Sequence, residues 1–259
     1  MAPEPKPLGK IAGLLLDVGG VLYQGDEAIA GSAEALTALR EREMPFRLLT
    51  NTTRTTRASL AKRLQGFGFE VTEEEIVTPA SVASAILERD GARPHLLVHP
   101  GLLPDCPEEA AEPNAVLVGD AGEHFTFENM NRAFNVLIEG GTLYALGRNR
   151  FFRSASGFEL DAGPFVAALE YAAETEAVLI GKPSKDFFVT AAHDMGFAPE
   201  ETLMVGDDLE SDVEGAIAAG LQAALVRTGK FRDGDATRAR KGGARVAASL
   251  SEFVEGLVA

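Results

Sequence analysis

The sequence predicts an α/β fold: a doubly wound parallel sheet with a second α/β unit inserted into it. Three observations predict it. Short apolar runs alternate with helical patterns from residue 11 onward. The texture changes after Arg89, and the first texture returns from Ala177. Clusters of polar residues follow directly on apolar runs, which places them at the carboxyl ends of strands, where open parallel sheets bind ligands.

Each element follows from its residues. Ile11 to Leu16 is an apolar run ending at Asp17 and reads as a strand. Gly31 to Arg42 has helical spacing, and Phe46 to Leu49 is a second strand ending at Thr50. Thr55 to Gly66 is helical. Thr72-Glu73-Glu74-Glu75 has the capping-box pattern, in which threonine and glutamate satisfy each other's free amides, and a helix follows over Ala80 to Arg89. In the inserted unit His95 to His99 and Ala115 to Val118 are strands, separated by the proline-rich acidic segment Pro100 to Pro113. Phe127 to Ile138 is a helix, Thr142 to Leu146 a strand and Gly163 to Glu174 a helix. Ala177 to Ile180 is again a strand, and Ser184 to Met195 a helix stopped by Gly196. Pro199 opens a turn before the strand Thr202 to Val205, which ends at Gly206-Asp207-Asp208. A helix over Glu210 to Ala219 and a strand over Gln222 to Val226 complete the pattern. The expected division is a core of residues 1–78 and 180–259 around an inserted unit of residues 79–179.

Composition narrows the function. The chain is 46% hydrophobic, enough for a sizeable core, and carries a net charge of −15. An acidic surface repels phosphate backbones and anionic lipid, so neither nucleic acid nor a membrane is an expected partner. Cys106 is the only cysteine, which excludes an internal disulfide and a cysteine zinc cluster. Met1 to Lys10 is polar and proline-rich, unlike a secretory signal, and no apolar run reaches membrane-spanning length. A cytoplasmic protein is expected.

Four short motifs carry the chemistry. Asp17 is followed by Val18-Gly19-Gly20, a carboxylate at a strand end with glycines that let backbone approach a ligand. Leu49-Thr50-Asn51-Thr52 offers a hydroxyl followed by exposed amides. Gly181-Lys182-Pro183-Ser184 brings a lysine to a helix start, and Gly206-Asp207-Asp208-Leu209-Glu210-Ser211-Asp212 clusters carboxylates. One nucleophilic carboxylate, one hydroxyl, one cation and an acidic cluster for a hard metal are the set that phosphoryl transfer needs.

These motifs, in this order, resemble the haloacid dehalogenase (HAD) superfamily, and the resemblance runs over nearly the whole chain. It points to the NagD-like subclass, in which a large α/β cap is inserted into a Rossmann-like core between the threonine and lysine motifs. Asn129-Met130-Asn131, Leu160-Asp161-Ala162-Gly163-Pro164-Phe165 and Arg227-Thr228-Gly229-Lys230-Phe231 resemble the branch that holds pyrophosphate and phosphoramidate phosphatases. The resemblance implies a Mg²⁺-dependent phosphohydrolase acting on a small phosphorylated substrate. Asp17 would be the nucleophile, forming an aspartyl-phosphate. Asp17, the main-chain carbonyl of Gly19, and Asp207 would hold Mg²⁺. Gly19, Gly20, Thr50, Asn51 and Lys182 would bind the phosphoryl group, with Lys182 also restraining Asp17. Asp208 and Asp212 would orient a metal-bound water or Lys182. A homodimer through the cap is implied as well.

One position departs from the family. Most phosphatases of this superfamily carry an aspartate two residues after the nucleophile, as general acid and base, and here that position is Gly19. Such a group contributes about 10²- to 10⁴-fold. The expectation is a substrate whose leaving group needs little acid assistance, pyrophosphate or phosphorylated nitrogen rather than an alkyl phosphate. Two rival readings are a weakly catalytic phosphate-binding protein, motivated by Gly19, and a metal-free dehalogenase, against which the Asp207-Asp208 pair speaks.

The remaining candidates have plainer readings. His95, His99, His124 and His193 lack metal-ligand spacing and are expected to be structural or superficial. Phe125, Phe127, Phe151 and Phe152 are expected in the core of the inserted unit, and Arg148, Arg150 and Arg153 in surface ion pairs. Asp120 to Glu123 and Asp161 lie where loops of the inserted unit could meet substrate. The basic run Arg238 to Arg245 reads as a solvated loop or helix face.

Overall fold

The structure, a computed structural model, describes residues 9–154 and 157–258; the polar start Met1 to Leu8 and the side chain of Arg153 lie outside the described residues. The chain forms two compact units. One comprises the residues up to Thr50, Ala58–Val77 and those from Lys182 onward; the other comprises Asn51–Arg57 and Thr78–Gly181.

The first unit is built on a six-stranded sheet. Its order across the sheet is Arg245–Ala247, Gln222–Val226, Thr202–Gly206, Gly13–Asp17, Phe46–Leu49, Ile76–Val77. Neighbouring strands are parallel throughout. From Gly13–Asp17 the chain builds outward to one edge, then returns beside it at Thr202–Gly206 and builds to the other. That reversal opens a crevice beyond the carboxyl ends of the two central strands. Gly13 to Leu16 pairs in register with Thr202 to Val205, and Asp17 pairs with Leu49. Asp17, Thr50 and Asp207 are therefore brought together at the carboxyl end of the sheet.

Both faces of the sheet are covered, so its central strands are continuously apolar rather than alternating. Leu14, Leu15 and Leu16 are fully buried. Leu14 and Leu16 pack with Leu36, Leu39, Leu60, Leu64 and Phe253 on one face. The helix Lys185–Asp194 packs against Gly13–Asp17, with Phe187 and Phe188 fully buried. Each such side chain contributes about 1.5–3 kcal/mol of transfer free energy.

The second unit holds a four-stranded parallel sheet, ordered Val178–Leu179, Thr142–Ala145, Ala115–Val118, Pro94–Leu97. Its core includes Val116, Val118, Leu143, Leu137, Val166 and Leu169, the last three from the helices Phe127–Ile138 and Ala162–Ala173.

Several elements differ from the sequence reading. The Thr72–Glu75 box is present, with Glu75 Oε2 accepting the Thr72 N–H at 2.9 Å, but it closes one 3₁₀ turn before the short strand Ile76–Val77. The helix Pro79–Arg89 has its own box, in which Thr78 Oγ1 accepts the Ser81 N–H at 3.1 Å and Ser81 Oγ accepts the Thr78 N–H at 3.0 Å. The expected helix over Glu210 to Ala219 is a wide-turned π-helical segment, Leu209–Glu214, followed by one α-turn, Gly215–Ala218. The antiparallel hairpin of Phe151–Ser154 with Gly157–Leu160, the strand Arg245–Ala247 and the helix Leu250–Val258 were not expected. The basic run begins on a helix, Asp235–Lys241, where Arg238 pairs with Glu214 at 2.8 Å.

Candidate active site

Asp17 is the last residue of its strand, and its side chain is buried. Lys182 reaches it from the start of the helix Lys185–Asp194. The Lys182 ammonium donates to Asp17 Oδ1 at 2.5 Å and to the Leu49 carbonyl at 3.3 Å, and lies 2.7 Å from Asp212 Oδ1. It thus ties the ends of two neighbouring strands to the acidic segment after a third. Gly181, just before it, packs so closely on the Leu146 carbonyl and Asn51 Oδ1 that an added Cβ would lie 2.5 and 2.8 Å from them.

The acidic segment divides its labour. Asp212 holds Lys182, and its Oδ2 accepts the Asp208 N–H at 3.1 Å. Gly206 is required there, because a Cβ would run into the Asp212 carboxylate. Asp208 has partners of its own. Its Oδ1 caps the following segment by accepting the N–H groups of Glu210 and Ser211, each at 3.1 Å, and its Oδ2 pairs with Lys230 at 3.2 Å. Asp207 Oδ2 accepts the backbone N–H of Lys230 at 2.7 Å. Asp207 Oδ1 is buried with no hydrogen-bond partner among the described residues.

The charges are unbalanced. Carboxylate oxygens of Asp17, Asp207 and Asp212 lie within 4.8 Å of one another, all buried. Burial pushes the Asp17 carboxyl up to about 7, with Lys182 opposing and Asp212 and Asp207 adding to it. Burial likewise raises Asp207 to about 6 against the Lys230 N–H. Burial alone would pull the Lys182 ammonium down, but Asp17 and Asp212 outweigh it and hold it charged above its ordinary range. Burial opposes ionisation of Asp208, yet the Ser211 N–H and the Lys230 ammonium keep its carboxyl below the usual range.

These residues fit a divalent cation. Crowded carboxylates sharing one buried ammonium, with a buried carboxylate oxygen left unbonded, are the donor set of a hard metal ion. Magnesium or a similar cation would satisfy Asp207 Oδ1 and the excess negative charge together.

Other expected site residues fall as follows. Gly19 is exposed, and a Cβ added to it would meet nothing within 4 Å. Gly20 is buried with φ +83°, and a Cβ there would collide with Asp207 Oδ2. Thr50 follows its strand directly and donates its N–H to the Val77 carbonyl at 3.1 Å. Asn51 belongs to the second unit. In that unit Asp120 is buried and paired with Arg54 at 2.5 Å, and Asp161 caps the helix Ala162–Ala173, its Oδ1 accepting the Ala162 N–H at 2.6 Å. Arg148 pairs with Glu170 at 2.7 Å, and His95 Nδ1 lies 2.7 Å from Glu109. Phe125 stacks on Phe165, but Phe127 and Phe151 are exposed, against the expectation of core positions.

The side chains of the turn Thr228-Gly229-Lys230 do not mark it as part of the site. Its hold on Asp207 runs through a backbone N–H, which every residue but proline carries, so no side-chain chemistry announces it.

Comparisons agree with this architecture. A family model described as haloacid dehalogenase-like hydrolase matches residues 14–110, and a second, HAD-hydrolase-like model matches 179–253. The chain is 45% identical over 233 residues to phospholysine phosphohistidine inorganic pyrophosphate phosphatase of Xenopus laevis, covering 87% of this chain and 86% of that one. The 4-nitrophenylphosphatase of Thermotoga maritima superposes with a TM-score of 0.85 at 28% identity, over 95% of this chain and 97% of that one. The glycerol phosphate phosphatase of Mycobacterium tuberculosis in complex with magnesium superposes with a TM-score of 0.83 at 25% identity, over 94% of this chain and 76% of that one. With its parallel α/β architecture and this extent of identity, the chain belongs to the haloacid dehalogenase-like hydrolases.

Proposed function

We propose that this phosphatase is a Mg²⁺-dependent phosphohydrolase that works through an aspartyl-phosphate on Asp17 and prefers substrates with good leaving groups, pyrophosphate or a phosphoramidate. The observation that carries the reading is the buried pairing of Asp17 with Lys182 inside a cluster short of one cation. Asp17, the Gly19 carbonyl and Asp207 would hold Mg²⁺, which when bound neutralises negative charge on the phosphoryl oxygens.

The chain's own groups would divide the chemistry. A carboxylate oxygen of Asp17 attacks phosphorus, and the bond from phosphorus to the leaving group breaks with its electron pair on the leaving group. Lys182 holds Asp17 in place and offsets charge on the transferring group, while Thr50 and Asn51 supply hydrogen bonds to its oxygens. Water then attacks phosphorus, releasing phosphate and restoring Asp17. No side chain at Gly19 protonates the leaving group, so a nitrogen that carries its own proton, or a phosphate, leaves more readily than an alkoxide. The relative named for pyrophosphate and phosphorylated lysine and histidine supports the same substrate class.

Cap closure by the unit around Thr78–Gly181, a cytoplasmic location and a homodimer are part of the proposal. No helix among the described residues is long and apolar enough to cross a membrane. The exposed Phe127, Phe151, Phe158 and Tyr171 of the second unit support self-association, which sedimentation velocity tests.

A panel of pyrophosphate, phosphoramidate, glycerol phosphate and 4-nitrophenyl phosphate, with Mg²⁺ or with EDTA, tests the chemistry. Metal-dependent turnover of the other three well above that of glycerol phosphate is expected, because 4-nitrophenolate, like phosphate, leaves without a proton. Turnover unaffected by EDTA, or a preference for glycerol phosphate, overturns the reading.

A further inference from the structure

We propose that the turn Thr228-Gly229-Lys230 is the positioning element for the metal-binding carboxylate of Asp207, presenting it to the cation through one oxygen only; this rests on the metal site proposed above. The turn is fastened at three points. The Thr228 hydroxyl donates to the Gly20 carbonyl. The Lys230 N–H donates to Asp207 Oδ2 at 2.7 Å, and the Lys230 ammonium reaches Asp208 Oδ2 at 3.2 Å. One short segment thereby links the loop after the nucleophile to both consecutive aspartates.

Packing makes the hold tighter than the hydrogen bond alone. Gly20 and Gly229 both have positive φ, +83° and +58°, and a Cβ on either would strike Asp207 Oδ2. The carboxylate is wedged between two bare backbones that only glycines provide at those angles. Oδ2 is therefore committed to the Lys230 N–H, while Oδ1 is buried and unbonded. A carboxylate fixed this way can bind a cation through one oxygen but cannot swing to chelate through both.

That constraint discriminates between cations. Mg²⁺ demands near-octahedral six-coordination, which one-oxygen carboxylates allow; Ca²⁺ accepts more ligands and two-oxygen carboxylates. The turn accordingly favours Mg²⁺ over Ca²⁺. Groups that orient a metal ligand typically cost 10- to 100-fold in metal affinity when removed.

The test is calorimetric titration of Mg²⁺ and of Ca²⁺ into the metal-free protein, without substrate. Wild type should bind Mg²⁺ more tightly than Ca²⁺. Thr228→Val, which cuts the link to Gly20, and Gly229→Ala, which displaces Asp207 Oδ2, should each weaken Mg²⁺ about 10-fold or more and Ca²⁺ much less. Thr228→Ser, which keeps the hydroxyl, should restore the wild-type ratio. Equal loss for both cations in whichever of the two disrupting variants folds, or an unchanged ratio, overturns the inference. Failure of wild type to bind either cation instead overturns the metal site on which it rests.

Discussion

Lys182 Nζ and Asp17 Oδ1 lie 2.5 Å apart in a buried pair that also involves Asp212. One ammonium therefore serves two carboxylates, with a third, Asp207, close by. Burying charge without a partner is costly, so each member of this cluster affects both stability and chemistry.

Asp17→Asn tests the nucleophile. Asparagine keeps the shape of the side chain and removes a charge that burial disfavours, while Lys182 keeps Asp212 as partner. Turnover should fall by roughly 10⁶-fold, the order of loss when a catalytic nucleophile is removed. The thermal midpoint in EDTA at pH 8 should not fall. Activity within tenfold of wild type would show that another group attacks phosphorus.

Lys182→Met removes the only cation shown bonding to Asp17 and Asp212 among the described residues. Breaking a buried pair from one side costs about 3–5 kcal/mol, because the other charge is left uncompensated. Urea unfolding in EDTA should show a loss of that order. Added Mg²⁺ should recover part of it, since a second source of positive charge relieves the same carboxylates. A loss below about 1 kcal/mol would mean that the carboxylates are already protonated or solvated.

The pH dependence follows from the raised carboxyls. Asp17 at about 7 and Asp207 at about 6 both stand above their ordinary 3.8, mainly through burial. Between those values the folded state binds more protons than the unfolded one. Their contribution is thus fully present below about pH 4 and is lost as pH rises through 6 and 7. Mg²⁺ binds the ionised carboxylates, so its stabilising effect should grow over the same interval. Thermal melts from pH 5 to 8 should show a falling midpoint in EDTA and a widening gap between EDTA and Mg²⁺. A Mg²⁺ shift that is constant with pH would separate the cation from these two groups.

Parts of this molecule were legible because burial leaves a mark on composition. Leu14-Leu15-Leu16 and Leu203-Met204-Val205 read as strands since both faces of a covered parallel sheet are apolar. Asp17 and Asp207 drew notice because charge directly after such runs is conspicuous. The strand Arg245–Ala247 escaped because it is three residues long and begins with arginine at the sheet edge. The hairpin of Phe151–Ser154 with Gly157–Leu160 escaped because Phe151 and Phe158 are exposed, opposite to the usual sense of the pattern. Gly229 and Lys230 escaped for another reason: one acts by lacking a side chain and the other through its amide, and neither property depends on neighbouring residues in sequence.

Gly19→Asp bears on the substrate. Position 19 differs sharply from position 20: its backbone is not left-handed, and a Cβ there meets nothing within 4 Å. Sterics therefore do not explain the glycine, and the substitution fits without a clash. The new carboxyl would lie two residues from the nucleophile, where it can donate a proton to a departing oxygen and later accept one from water. Leaving groups that need that proton gain most, by up to the roughly 10²-fold lower range of general acid catalysis. Glycerol phosphate turnover should rise relative to pyrophosphate turnover, and the gain should vanish when Asp17→Asn is added, because the acid assists a step that Asp17 performs. If both substrates respond equally, the preference for good leaving groups does not originate at position 19. Substrate selection then has to be sought in the unit that carries Arg54 and Asp120, whose 2.5 Å ion pair places a guanidinium over the ring of Phe152.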